Sequence, residues 1–361
     1  MEELVFEVAD RYPALLPSRP QMADERTKKQ SEKAGLELEQ GAFLSRLLAE
    51  PRAGTHLLHV MLRPRKEATE RLAEFRETGR ADLGPATVER VGNAGHVNLR
   101  NLRFLNAEDD AATAALEIGV DLVLLDPACE VGVLRGAAVD HPRYAGRRVF
   151  NAGLNLTHLY HGQISFVDFM IARELGLVAK IQRGHWVGED WESGLEDYAE
   201  KPWLAAVESF AIGGGCQLLL VMDRVLAEEG AYFSLPARKE GIIPGNANQR
   251  LWRYLGDRVA RQAILFERAF KTGEPETKQL CDRVVAREEM DAAIAEDAGQ
   301  LTSAGLVSAV ANRRAIRIGQ EPIDQLRRYM AVYARDQSLC MYAPALIANL
   351  EQNWRAHERR P

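Results

Sequence analysis

The stretch that decides the fold is residues 208–245, ESFAIGGGCQLLLVMDRVLAEEGAYFSLPARKEGIIPG. An apolar run leads into three glycines, residues 213–215, and an apolar helical run, residues 216–222, follows them. Glycines between a strand and a helix permit a tight turn and let a ligand approach the backbone closely. The first helical turn also offers N–H groups without intrahelical partners and a partial positive charge. Such a turn is suited to hold a developing oxyanion, but a triple glycine alone is more typical of a packing turn.

A second glycine turn lies upstream, in VFNAGLNL, residues 149–156. The two turns are followed by FSLP at residues 233–236 and GIIPG at residues 241–245. This ordered set resembles the crotonase (enoyl-CoA hydratase/isomerase) superfamily, over roughly residues 86–285. The resemblance implies an acyl-CoA substrate whose thioester oxygen is bound by one backbone N–H from each turn.

Carried over by position, the two catalytic donors are the backbone N–H groups of Leu154 and Gly214. The chain departs from the superfamily at the two carboxylates that hydratases use to deliver water and a proton. Gln217 stands where hydratases carry the first glutamate, and Ala237 where they carry the second. Because neither side chain can take a proton, hydration by the usual mechanism is not expected.

Further segments resemble one dioxygenase branch of the superfamily: NLRFLNAEDD (101–110), NAGLNLTHL (151–159), FMIARE (169–174) and EGIIPGNAN (240–248). Enzymes of that branch convert (3,5-dihydroxyphenyl)acetyl-CoA and O2 into 3,5-dihydroxyphenylglyoxylate and CoA, without a metal or an organic cofactor. The resemblance spans nearly the whole chain and implies the same reaction here, in the synthesis of dihydroxyphenylglycine for glycopeptide antibiotics. It names no base for the Cα proton, since the usual glutamates are absent.

The same resemblance implies that three polar side chains meet the phenolic hydroxyls of the substrate, namely Glu108, Arg173 and Gln217. From the residues alone, Glu108 is typical of a carboxylate in the first turn of a helix. Arg173 is likewise typical of a surface arginine paired with Glu174 or Asp168. The remaining substrate-binding residues that the resemblance implies are Ala152, Gly153, Asn155, Tyr144 and Asn248.

An apolar pocket for O2 is expected beside the thioester, because O2 itself is apolar. The candidate residues are Leu154, Ile242 and Ile243, although each is equally typical of plain core. His158 and His161 are spaced i, i+3, but a metal site needs a third ligand and only Asp168 is near. We therefore expect no metal.

Composition narrows the function classes. The chain has 361 residues and a formal net charge of −6, so no strong basic field for nucleic acid is expected. Its four cysteines form no CxxC pair, and its acidic start, MEEL, lacks the apolar stretch of a signal peptide. These features predict a cytoplasmic protein without disulfides and without a membrane segment.

The predicted fold class is α/β, a crotonase-type spiral of repeated ββα units with a helical N-terminal region and C-terminal trimerisation helices. The predicted divisions are residues 1–84 (helical), 85–285 (crotonase core) and 286–361 (helical). The resemblance implies a homotrimer or a hexamer built as a dimer of trimers. Local patterns predict helices at residues 108–117 and 165–182, and strands at residues 121–126 and 131–136.

Two rival functions stay open. The first is another acyl-CoA enzyme on the same scaffold, such as a thioesterase, an isomerase or a decarboxylase. The second is a crotonase-like chain that has lost catalysis and serves as an interaction or RNA-binding protein. The absent glutamates fit the second rival, whereas the acidic charge and the three polar residues oppose it.

Overall fold

In the computed structural model, which describes residues 1–190, 192 and 197–361, helices come first. They are α1 (Glu2–Arg11), α2 (Arg19–Glu25), α3 (Leu36–Ala49), α4 (Pro51–Met61) and α5 (Lys66–Thr78). Their ends follow local chemistry. The Glu50 carboxylate accepts from the N–H groups of Arg52 and Ala53 at the start of α4. Gly79, with φ 69°, ends α5 in the left-handed conformation.

The central sheet has seven strands in the order β1-β2-β3-β4-β7-β9-β12. They are β1 (Arg80–Asp82), β2 (Ala86–Val91), β3 (Ala94–Leu99), β4 (Val131–Gly136), β7 (Trp203–Val207), β9 (Arg224–Glu228) and β12 (Arg283–Val285). From β3 to β12 all pairs are parallel, with Val133 opposite Leu204 and Ala205 opposite Val225. Every residue of β4 and β7 is buried, as expected for parallel strands covered on both faces.

A second, smaller sheet carries the glycine turn. Its order is β11-β10-β8, formed by β8 (Phe210–Ile212), β10 (Tyr232–Ser234) and β11 (Phe270–Lys271). Strands β8 and β10 run parallel, and the Gly213 N–H donates to the Ser234 carbonyl at 2.8 Å. The remaining pair is β5 (His185–Trp186) with β6 (Tyr198–Ala199). The glycine turn therefore leaves the end of a paired strand, and its direction is fixed.

Helices between the strands are α6 (Asp110–Leu125), α7 (Leu156–Tyr160), α8 (Ala179–Arg183), α9 (Gly214–Leu219), α10 (Ala237–Glu240) and α11 (Ala247–Phe266). Residues 131–136 form a strand as predicted, whereas the strand predicted at residues 121–126 is wrong. Those residues continue α6, which the Asp109 carboxylate caps by accepting from the Ala112 N–H at 3.0 Å. A short apolar run has the same appearance in a buried strand and in a helix buried on most sides.

The helix predicted at residues 165–182 has nearly the predicted extent, residues 166–183, but it is neither regular nor amphipathic. Two segments of wide, π-type turns, Phe166–Ile171 and Glu174–Val178, lead into α8. Ser165 caps this region as predicted, since its hydroxyl accepts from the Asp168 N–H at 3.0 Å. Nearly every side chain is buried, because helices cover the face that was expected to meet solvent. Wide turns of this kind occur often at functional sites.

The C-terminal helices pack back on the N-terminal ones. They are α12 (Met290–Thr302), α13 (Leu306–Gln320), α14 (Ile323–Met341) and α15 (Pro344–Trp354). One apolar core joins α3, α14 and the wide-turn segment, through residues such as Leu44, Phe166 and Met330. A separate core lies between the large sheet and α6. None of the helices in the described residues is both long and apolar enough to cross a membrane.

Candidate active site

The two glycine turns meet. Ile212 donates its N–H to the Asn151 carbonyl at 3.0 Å, so the first turn runs beside β8. Gly153 and Gly213 both have positive φ, 81° and 52°, which an L side chain rarely adopts. A methyl group added at Gly153 would lie 2.8 Å from the Ile212 carbonyl oxygen and 3.3 Å from the Gly214 nitrogen. Glycine is required here because two main chains touch.

The N–H groups of Leu154 and Gly214 are both without a hydrogen-bond partner among the described residues. The Glu108 N–H donates to the Gly153 carbonyl, and the Asn155 N–H donates to the Glu108 carbonyl, each at 2.7 Å. Because N–H directions alternate along an extended chain, the Leu154 N–H faces away from Glu108. Gly214 opens α9, where no intrahelical acceptor exists. Both residues line one cavity, here called the inner cavity.

A buried polar cluster forms the wall behind these amides. The Arg173 guanidinium donates to both oxygens of Glu108, to Glu174 Oε1 at 2.6 Å and to Gln217 Oε1 at 2.9 Å. It also donates to the Gly214 carbonyl at 3.0 Å, which ties it to the glycine turn. Within the predicted trio, Arg173 thus contacts both Glu108 and Gln217. Since its Oε1 is occupied by Arg173, Gln217 has its amide N–H groups left for the cavity.

Charge explains why Arg173 is buried. Arg173 is 3% exposed, so it does not occupy the surface position typical of an arginine. Burial alone would lower the pKa of the Arg173 guanidinium, but the attraction of Glu108 and then Glu174 outweighs burial and raises it. Arg173 is therefore charged. Glu174 is a partner as predicted, whereas Asp168 lies beside Arg26 at 3.7 Å.

The wide space next to the inner cavity, here called the outer cleft, has a free volume of about 710 Å³. That is within the usual range for ligand sites. Tyr144 and Asn155 line the outer cleft, and Ala152 lines both spaces. Basic side chains gather along it: Arg103, His141, Arg143, Lys239, Arg359 and Arg360. Asn248 lines neither space and is exposed.

Ile242 and Ile243, the residues predicted for an oxygen pocket, both line the inner cavity. Phe169, Met170 and Leu154 add apolar surface there. The Gln337 side chain on α14 accepts from the Ile243 N–H at 2.9 Å, so a C-terminal helix fixes this wall. The cavity is thus polar on one side and apolar on the other.

For two acidic residues of the cavity the sequence predicts no catalytic or substrate-binding role, although it predicts Glu174 as a partner of Arg173. Glu174 is buried, accepts from Arg173, and accepts from the Asn246 N–H at 3.1 Å. Glu240 lies at the end of α10 and lines both the inner cavity and the outer cleft. The only available signal was their place inside the segments FMIARE and EGIIPGNAN.

Other reactive side chains near the site are accounted for by ordinary contacts. His158 Nδ1 lies 3.2 Å from an Asp109 oxygen, and His161 Nε2 lies 3.0 Å from the Arg359 carbonyl. Among the described residues, no group of three or more His, Cys, Asp or Glu side chains could hold a metal ion. Burial raises the pKa of the Cys216 thiol to about 12, so this cysteine is not an activated nucleophile.

Comparison with known proteins decides the family. A family model described as enoyl-CoA hydratase/isomerase matches residues 189–337. A protein of Amycolatopsis orientalis named (3,5-dihydroxyphenyl)acetyl-CoA 1,2-dioxygenase is 49% identical over 350 residues, covering 97% of this chain and 79% of that protein.

This chain belongs to the crotonase (enoyl-CoA hydratase/isomerase) superfamily. A probable enoyl-CoA hydratase of Rhizobium meliloti is 30% identical over 230 residues, covering 63% of this chain and 79% of that protein. The crystal structure of the Bacillus halodurans enoyl-CoA hydratase superposes with a TM-score of 0.61 at 17% identity. That match covers 74% of this chain and all of that one. The predicted crotonase fold is confirmed.

Within the crotonase superfamily, the site departs from hydratases where the sequence indicated. Gln217 and Ala237 both line the inner cavity, so the two positions of the hydratase glutamates face the expected space without carboxylates. The inner cavity holds the two free N–H groups and the Glu108–Arg173–Gln217 cluster. These groups suit stabilisation of an oxyanion and binding of hydroxyl groups.

Proposed function

We propose that this chain is a cofactor-independent dioxygenase that converts (3,5-dihydroxyphenyl)acetyl-CoA and O2 into 3,5-dihydroxyphenylglyoxylate and CoA. The observation that carries the proposal is the 49% identity to the Amycolatopsis orientalis dioxygenase over 97% of this chain. The cavity supports it independently, because it offers two oxyanion donors, a polar cluster suited to hydroxyl groups, and an apolar wall.

In this proposal the aryl ring enters the inner cavity, whose free volume of about 40 Å³ is smaller than the ring, so its walls must move apart to admit the substrate. Gln217 offers amide N–H donors there, and the Glu108 carboxylate offers acceptor capacity beside Arg173. A site that hydrogen-bonds a hydroxyl rejects analogues without it far more strongly than an apolar pocket does. The polar cluster is thus the proposed source of selectivity for the dihydroxyphenyl group.

The CoA portion lies in the outer cleft. Its phosphates would meet the arginines along that cleft, of which Arg143, Arg359 and Arg360 are examples. Guanidinium groups bind phosphate through two parallel N–H donors. Tyr144 and Asn155 lie on the same wall and are the proposed contacts along the pantetheine arm.

The thioester lies between the two spaces, where its oxygen accepts from the N–H groups of Leu154 and Gly214. Loss of the Cα proton moves the C–H electron pair into an enolate whose negative oxygen these donors stabilise. One such donor is typically worth about 3–4 kcal/mol in the transition state. The aryl group extends the conjugation and stabilises the enolate further.

The electron-rich enolate transfers one electron to O2, and recombination of the two radicals forms a peroxide on Cα. The peroxide attacks the thioester carbonyl and expels CoA, and cleavage of the O–O bond with loss of the second Cα proton leaves the 2-oxo acid. Both atoms of O2 enter the oxo acid, and the substrate supplies the four electrons that reduce O2. Leu154, Ile242 and Ile243 are the proposed apolar contacts of O2.

Incubation with (3,5-dihydroxyphenyl)acetyl-CoA under ¹⁸O2 tests the proposal, and we expect both labelled atoms in the oxo acid. A thioesterase would give the arylacetic acid without oxygen uptake, and an isomerase would leave the thioester intact. Failure to bind any acyl-CoA would favour a non-catalytic binding protein instead.

Removal of metal ions is a separate prediction. Full chelation should leave turnover unchanged, because no step of the proposed reaction uses a metal, whereas removal of O2 should abolish oxo-acid formation. Oxygen uptake measured before and after dialysis against a chelator checks this. Activity that vanished with the chelator and returned with iron would contradict the cofactor-free reaction.

Three broader features belong to the same proposal. By resemblance, the product enters dihydroxyphenylglycine synthesis for glycopeptide antibiotics, and the chain assembles as a homotrimer or a dimer of trimers. Exposed apolar side chains on α13, such as Val307 and Ile316, support assembly, and light scattering would distinguish three from six subunits. All four cysteines are free thiols, which fits the proposed cytoplasmic location.

A further inference from the structure

The inner cavity and the outer cleft meet at a junction of four residues. Only Ala152, Leu154, Ile212 and Glu240, among the described residues, line both spaces. In the proposed reaction the aryl ring lies in the inner cavity and CoA in the outer cleft. The Cα atom joins these two parts and is bonded to the thioester carbon, whose oxygen accepts from Leu154. Cα therefore lies at the junction, and Glu240 is the junction residue that titrates.

The other two carboxylates of the cavity are already engaged. Glu108 accepts from Arg173 and from the Asn151 side-chain amide at 2.8 Å, and Glu174 accepts from Arg173 and the Asn246 N–H. A carboxylate held by a guanidinium is a weak proton acceptor. Glu240, in contrast, accepts no hydrogen bond and joins no ion pair from its carboxylate with any part of the chain that the structure describes.

Glu240 also supplies a carboxylate close to the position where hydratases carry their second glutamate. Ala237 begins α10 at the place of the second hydratase glutamate, and Glu240 ends it three residues later. Residues three apart lie on the same side of a helix. Both line the inner cavity, so the carboxylate is moved by one turn and still faces it.

We propose that Glu240 is the base that removes the Cα proton, an assignment that rests on the proposed function. The proton moves to a Glu240 oxygen, and the C–H electron pair forms the enolate. No oxidant is consumed in this step. Because Glu240 also lines the outer cleft, its proton can exchange with solvent.

The electrostatics of Glu240 suit this role. Burial in the cavity wall raises the pKa of its carboxyl to about 7; the positive charge of Lys239 opposes the rise and the negative charge of Glu267 adds to it. A base is most effective when its pKa is close to the working pH. Since the carboxylate form is required, kcat/KM should rise with pH through about 7.

Hydrogen exchange at Cα isolates this step from oxygenation. The substrate would be incubated without O2 in D2O, and deuterium uptake followed by mass spectrometry. We expect Glu240→Gln to slow exchange at least about 100-fold while substrate affinity is retained. Glu240→Asp should retain part of the exchange rate. The pH-dependent rise near 7 should disappear in the glutamine variant.

The matched control is Glu276→Gln, which removes a carboxylate that pairs with Arg268 at 2.7 Å and lines neither space. It should exchange at the wild-type rate. Wild-type exchange in Glu240→Gln would overturn the assignment, even if the wild type forms oxo acid. A wild type that exchanges but takes up no O2 would instead overturn the proposed function and leave the base in place. A wild type that does neither would overturn both.

Discussion

At the scale of single residues, the site depends on one positive charge shared by two buried carboxylates. Arg173, Glu108 and Glu174 are each at most 3% exposed. Their isolated burial would be costly, and hydrogen bonds to Arg173 offset that cost. The cluster has no spare cation among its own members, so each contact of Arg173 matters to folding as well as to substrate binding.

Removing that charge should destabilise the fold strongly. Arg173→Met would leave Glu108 and Glu174 buried without their cation, and we expect a loss of about 3–5 kcal/mol in the free energy of unfolding. Urea denaturation at pH 7 measures this. The control is Arg261→Met, which breaks an exposed ion pair with Asp257 and should leave the free energy of unfolding nearly unchanged. Equal losses in the two variants would argue against the buried cluster.

Gln217 should matter to selectivity more than to stability. Gln217→Leu removes the amide that faces the ring hydroxyls, so it should reduce the preference for (3,5-dihydroxyphenyl)acetyl-CoA over phenylacetyl-CoA by about 10-fold or more. The ratio of kcat/KM values for the two thioesters is the measurement. The same change at exposed Gln163 is the control. An unchanged ratio would mean that Gln217 does not contact the hydroxyls.

At the scale of elements, buried ion pairs join the C-terminal helices to the core. Glu321 follows α13 and accepts from the Arg250 side chain of α11 at 2.8 and 2.9 Å. Its carbonyl accepts from Arg183 of α8 at 2.5 Å. One residue therefore connects three helices that are far apart in sequence.

Glu321 should contribute pH-dependent stability. Burial alone would raise its pKa, but Arg250 above all outweighs burial and lowers it to about 2. Because the folded pKa is below the unfolded value of 4.5, this stabilisation is present above pH 4.5 and is lost as the pH falls toward 2. Glu321→Gln should cost about 3 kcal/mol at neutral pH, and its difference from wild type should shrink below pH 4.5. Urea denaturation of wild type and Glu321→Gln over a range of pH checks this, with the exposed Glu288→Gln as control. A difference in unfolding free energy that stayed constant with pH would contradict it.

At the scale of the whole molecule, the N-terminal helices pack against α14, the C-terminal helix that contributes to the wall of the active site. Helix α3 lies so close to α14 that a methyl group at Gly41 would be 2.4 Å from the Ser338 hydroxyl and 3.0 Å from the Ala334 carbonyl. Helix α14 in turn supplies Tyr333 to the inner cavity and Gln337 to the Ile243 N–H. The helical N-terminal region thus supports the site without lining it.

That support can be tested at Gly41. Gly41→Ala should force α3 and α14 apart and cost about 1–3 kcal/mol of stability, and it should also lower kcat because Tyr333 and Gln337 shift. Gly319→Ala lies in helix α13 with open space around it, and should be neutral or slightly stabilising. The unfolding temperature and kcat of both variants are the measurements. If Gly41→Ala were stabilised, α3 and α14 would not be in close contact.

The sequence by itself determined the features that single residues impose locally. Gly153 and Gly213 need positive φ, and the strands on either side of the second turn have readable apolar patterns, so both turns and their order were predictable. The absence of carboxylates at Gln217 and Ala237 was likewise visible, because it concerns residue type alone.

Tertiary structure alone decided what depends on distant parts of the chain. Arg173 is 65 residues from Glu108, and only their contact explains why an arginine is buried. Local periodicity does not predict the helix at residues 121–125 or the burial of the helix at residues 166–183, because packing against other helices decides both. Glu240 gained its place at the junction in the same way. Burial and charge balance depend on many contacts between distant residues, and these contacts exist only in the folded molecule. Backbone conformation, in contrast, is largely a property of each residue.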